Sequence, residues 1–88
     1  LIGETMFNRE KLTFEIEGKE IILQELSSAE FNDILQMKDE TEQAYTMIVK
    51  SMVSPKVTIG EVKDFPNRIV TEILDKTLKL NGTTETGN

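Results

Sequence analysis

The chain contains no histidine and no cysteine. Without imidazole there is no Ser-His triad, no imidazole general base and no His-ligated metal. Without thiols there is no disulfide framework, thiolate nucleophile or zinc knuckle, a usage that fits a cytoplasmic protein. Bases are scarce beside acids: 10 Lys and Arg face 16 Asp and Glu, for a net charge of −6 and a pI near 4.6. Such a surface does not attract phosphate, which disfavours nucleic acid and anionic membrane as partners. No uninterrupted apolar run exceeds three residues, as at Ile21–Leu23, whereas a membrane span needs roughly 18. No signal-peptide pattern opens the chain. The five glycines stand apart from one another, so neither GxxxxGK[ST] nor GxGxxG is present.

What is there is enough to fold. Leu, Ile, Val and Phe make up 26 of the 88 residues, about 30%, against the roughly 20% below which a charged chain stays disordered. One small domain is the expectation, with the modest stability that a low buried fraction brings. The acidic character belongs to the first two-thirds of the chain, since residues 55–80 carry 5 bases and 4 acids. Acids and apolars interleave at secondary-structure periods, which reads as a solvated face.

The pattern predicts an α+β protein, mainly α: an N-terminal β-hairpin, then a small bundle of three main helices and one short helix. Residues 1–10 show no period and read as a flexible arm, with Met6 and Phe7 able to dock. Leu12, Phe14 and Ile16 alternate with polar residues, the period-2 mark of a half-buried strand. Glu17-Gly18-Lys19 is a turn signal and Glu20–Leu23 the return strand. Ser27 with Glu30 forms a capping box, flanked by Leu26 and Phe31 as a hydrophobic staple, and opens a helix bearing Phe31, Ile34 and Leu35. Asp39 with Glu42 repeats the spacing and opens a helix predicted to run from about Glu40 to Val53, although one long kinked helix would also suit this Pro-free stretch. On it Ala44, Tyr45, Ile48, Val49, Met52 and Val53 share one half of the cylinder, with Met47 on the other. Ser54-Pro55 stops it. Thr58 with Glu61, stapled by Val57 and Val62, opens a short helix ending near Asp64. Phe65-Pro66 restarts the chain into a last helix with Ile69, Val70, Ile73, Leu74, Leu78 and Leu80 on one face. Asn81-Gly82 ends that helix, and residues 83–88 read as a disordered tail. The domain therefore spans residues 11–82.

No catalytic, cofactor-binding or metal-binding residues emerge, and an enzyme is not expected. Asp39, Glu40 and Glu42 cluster, but capping accounts for them. Lys50, Ser51 and Ser54 have a spacing common on helices. Asn81-Gly82-Thr83 matches a glycosylation sequon, though a helix stop explains the same residues. Binding surface remains. Met37 and Met47 lie at or off the edge of their apolar stripes, where the adaptable thioether suits contacts with a partner. Phe65 stands at a break between helices. These three are the candidate partner-binding residues, against the plainer reading that each packs in or beside the core.

The succession Leu12-x-Phe14-x-Ile16-x-Gly18-Lys19-Glu20, then Leu23-x-Glu25-Leu26-Ser27-x-x-Glu30-Phe31, resembles the start of phage tail assembly chaperones. The XkdN-like type and its relatives in phages of Gram-positive bacteria come closest. The likeness continues through Asp39–Ala44 and Ser54–Thr58, and ends with Phe65-Pro66-x-x-Ile69-Val70-x-Glu72-Ile73-Leu74 and Leu80-Asn81-Gly82. It covers residues 11–82, and the order of these turn, cap and core patterns carries it, no single motif being diagnostic. The resemblance implies a small chaperone without cofactors that binds the helical, aggregation-prone tape measure protein and keeps it soluble. It also implies recruitment of tail tube subunits, action in the cytoplasm of the bacterial host and absence from the mature virion. Self-association is compatible with it. Two other readings stand beside it: another small phage structural protein, such as a head–tail connector or tail component, and an acidic regulator mimicking phosphate charge. The balanced charge of residues 55–80 argues against mimicry.

Overall fold

The tightest turn comes early. In the computed structural model, which describes residues 6–82, Glu17 and Gly18 take φ of 52° and 80°. These are the left-handed positions of a type I′ turn, whose twist matches that of the strands it joins. Strand β1 (Lys11–Ile16) thereby pairs antiparallel with β2 (Lys19–Gln24), Ile16 opposite Lys19, Phe14 opposite Ile21 and Leu12 opposite Leu23. Residues directly opposite share a face, so Leu12, Phe14, Ile21 and Leu23 meet on one side of the sheet. Ile21 and Leu23 are buried there, and Phe14 and Ile16 pack against the same core.

Helix starts follow the local chemistry. At α1 (Ser28–Leu35), Ser27 Oγ accepts the Glu30 amide proton at 3.1 Å and Glu30 Oε1 accepts the Ser27 amide proton at 2.9 Å. At α2 (Glu40–Ser51), the Asp39 carboxylate accepts from the Thr41 and Glu42 amides at 2.9 and 3.4 Å. At α3 (Ile59–Asp64), Thr58 and Glu61 exchange a second reciprocal pair at 3.1 and 2.8 Å. Helix α4 (Asn67–Leu80) starts after Pro66, one position earlier than the first-turn site expected for that proline, and has no side-chain cap. It ends at Asn81, with Gly82 at φ 80°.

Two expectations are corrected. The helix predicted to reach Val53 ends at Ser51, and Met52–Ser54 form a third strand, β3, giving the sheet order β1-β2-β3. Met52 is already extended, at φ −75° and ψ 113°. It lies opposite Leu23, with Ser54 opposite Ile22 across a bulge. Pro55 forces the residue before it out of the helical region, and pairing with the open edge of β2 supplies backbone partners that a frayed helix end would lack. The second correction concerns Met47, placed by periodicity on the face away from the core. It is only 4% exposed. Helix α2 contacts α1 on one side and α3, α4 and β3 on others, so it is buried on more than one face, and a one-stripe reading underestimates its buried arc.

The core joins Ile21, Leu23, Ile48, Met52, Val62, Val70 and Ile73. Thr77 belongs with them; it is fully buried and its Oγ1 donates to the Ile73 carbonyl at 2.8 Å. Ser51 is fully buried too, and its Oγ has no hydrogen-bond partner among the described residues. Asn81 ties the two ends of the helical layer: its Oδ1 accepts the Leu26 amide proton and its Nδ2 donates to the Thr77 carbonyl, both at 2.8 Å. The expected arm over residues 1–10 lies partly, and the expected tail over 83–88 wholly, outside the described residues. Within residues 6–10, Arg9 pairs with Glu30 at 3.2 Å and the Glu10 amide donates to Glu25 Oε1 at 2.8 Å. Met6 and Phe7 are 90% and 81% exposed.

Candidate functional site

Two apolar grooves open on the surface of the described residues. The larger, of about 510 Å³, lies between the hairpin turn, the β3–α3 connection and the α3–α4 joint. Its walls are Ile16, Pro55, Val57, Phe65, Pro66 and Ile69; its floor is the core side chains Ile21, Met52 and Ile73. Phe65 is set there by backbone geometry. It caps α3 in an extended conformation, φ −67° and ψ 146°, with its N–H donating to the Val62 carbonyl at 3.1 Å. Pro66 enforces that conformation, which turns the chain and leaves the ring half-buried over the core. The rim is charged: Glu17, Lys19, Lys56, Glu61 and Asp64. Glu17 is paired with Arg68 at 2.7 Å and Glu61 is engaged at the α3 cap.

The smaller groove, of about 390 Å³, lies among α1, α2 and α4 and is lined by Phe31, Leu35, Ala44, Met47, Leu74 and Leu78, with Glu40 and Gln43 at its edge. Leu35 is 51% exposed. The interruption after α1 holds this side open: the Met37 carbonyl accepts from Gln43 Nε2 at 2.6 Å and the Met37 amide donates to the Ile34 carbonyl at 3.0 Å, so the chain rounds a corner before α2.

The three residues singled out by sequence therefore separate. Phe65 lines the larger groove, Met47 is buried beneath the smaller one, and Met37 is half-buried in the α1–α2 connection and lines neither. Leu35 and Leu78 on one side, and Pro55, Val57 and Ile69 on the other, were not singled out. Leu35, Leu78 and Ile69 sit in apolar stripes that read as core, and only the crossing of the helices leaves their edges uncovered.

Several carboxylates are engaged structurally: Glu30, Asp39 and Glu61 cap helices, and Glu17, Glu42 and Asp75 form ion pairs. Glu30 is held below its ordinary value chiefly by the Ser27 amide, against a partial loss of hydration and with help from the Arg9 guanidinium. Among the described residues no group of three His, Cys, Asp or Glu side chains converges on a metal site, and no helix is long and apolar enough to cross a membrane. The grooves offer apolar walls, half-exposed rings and charged rims. That chemistry suits apolar groups bordered by a wet, polar rim. Family models, curated proteins and solved structures yield no match to this chain.

Proposed function

We propose that the protein is a phage tail assembly chaperone, which binds the tape measure protein through its apolar grooves, keeps it soluble and helps recruit tail tube subunits. The observation that carries the reading is the groove of about 510 Å³ beside Phe65, whose floor is the domain's own core. It adds to the sequence resemblance over residues 11–82. A long helical client presents apolar side chains at i, i+3, i+4 and i+7, which enter such grooves one turn at a time. A domain with a net charge of −6 keeps the complex soluble through charge repulsion. Binding rests on apolar burial, so it changes little between low and physiological salt, whereas charge steering is screened beyond about 8–10 Å.

Coexpression with its tape measure protein is the test. The expected result is a soluble complex of the two that survives purification. Leu35→Asp and Phe65→Ala, judged folded by circular dichroism, are expected to weaken that complex. A tape measure protein that stays insoluble and unbound refutes the chaperone reading. A complex indifferent to both substitutions refutes the grooves as its site.

A further inference from the structure

The free edge of β1 carries its own complement. In the hairpin, the Glu25 amide donates to the Glu10 carbonyl at 2.9 Å, so Glu10 belongs to the positions whose backbone groups point at β2. Bonding alternates along an antiparallel pair. Leu12, Phe14 and Ile16 therefore also bond inward, and Lys11, Thr13 and Glu15 direct their N–H and C=O groups outward. Strand β1 ends the sheet order. Among the described residues, nothing pairs with these groups, and the Lys11 and Glu15 side chains, both exposed, have no ion-pair partner. The opposite edge differs: β3 is three residues long and runs into Pro55, two of the usual protections against pairing.

We propose that two copies of this chain associate by antiparallel pairing of β1 with β1, centred on Thr13, to form one continuous sheet. Around that centre Thr13 meets Thr13, each Lys11 meets the other copy's Glu15, and Leu12 meets Phe14. All three outward-facing residues then bond, and a twofold axis makes the contact isologous and closed. Centring the pair on Lys11 or on Glu15 sets like charges opposite each other; centring it on Leu12 or Phe14 separates Lys11 from Glu15. The charges that guard an edge against indiscriminate pairing here select one register. A single strand seam covers less than the roughly 1,200 Å² of a stable interface, so the dimer forms in the micromolar range or above. The contact uses neither groove and stands independently of the chaperone reading.

Sedimentation velocity on the full chain from about 10 µM to about 1 mM is expected to show a monomer passing to dimer. Over the same range, residue-resolved amide exchange at Lys11, Thr13 and Glu15 slows. K11E and E15K each weaken the dimer about tenfold or more, because both cross-strand pairs become repulsive. An equimolar mixture of the two variants, or the double variant K11E/E15K, restores it. A chain that stays monomeric throughout overturns the proposal. So does a dimer that ignores the single charge reversals, or one that the mixture fails to rebuild.

Discussion

Replacing Met47 tests whether α2 is buried on two sides. The side chain is 4% exposed and lies beneath Leu74 and Leu78 in the smaller groove. Alanine removes three heavy atoms, and at about 0.8 kcal/mol per buried methylene-sized group the transfer loss is about 2.5 kcal/mol. The space left behind opens into the groove, so the added cavity penalty is small and the total sits near the lower end of the ~2–5 kcal/mol range for such truncations. A chain of this length has roughly 4–13 kcal/mol of stability, and the loss is a substantial share of it. Met47→Leu, which keeps the volume, is expected to cost less than about 1.5 kcal/mol. Met47→Asp places an unpaired carboxylate against leucines and is expected to abolish cooperative folding. Urea denaturation followed by circular dichroism measures the series, with the slope checked for constancy so that midpoints report stability. A Met47→Ala midpoint equal to that of the unaltered chain, or a cooperatively folded Met47→Asp, refutes the two-sided burial of α2.

Asn81→Ala removes both the acceptor of the Leu26 amide and the donor to the Thr77 carbonyl. It is expected to cost about 1–3 kcal/mol and to speed exchange of the Leu26 amide, which a simple helix stop would leave unchanged. Ser51→Ala deletes a buried hydroxyl without a partner among the described residues, so its denaturation midpoint is expected to stay level or rise by up to about 1 kcal/mol of stability. Ser27→Ala loses the α1 cap at about 1 kcal/mol, and an unchanged midpoint counts against the capping box. Glu30, whose folded carboxyl is held low by the Ser27 amide, contributes stability that is complete above its unfolded value of about 4.3 and is lost as pH falls through the lower folded value. The gap in denaturation midpoint between the unaltered chain and Glu30→Gln is therefore expected to narrow from about pH 6 to about pH 3.

Features decided within one or two turns of chain were legible. The Ser27–Glu30 and Thr58–Glu61 boxes, the Asp39 cap and the stop at Asn81-Gly82 stand as expected, because each joins groups at most four residues apart. The turn at Glu17-Gly18 was visible for the same reason. Met52 and Val53 were not: they complete an apolar helical stripe and also suit a strand, and local pattern does not arbitrate between the two. Thr77 was passed over because its type is mostly exposed, yet back-bonding to Ile73 satisfies its hydroxyl inside the core.

By itself, then, the sequence determined the α+β class, the hairpin and the places where α1, α2 and α3 begin. Backbone capping, left-handed φ and side-chain period are all local properties. The tertiary structure alone decided that β3 closes the far edge of β2, that α2 is covered on more than one face, and that Asn81 reaches Leu26 across 55 positions. It also decided the grooves. An apolar residue is buried only as far as a neighbouring element covers it, and coverage depends on how the helices cross: Leu35 and Met47 line the same groove, one 51% exposed and the other 4%.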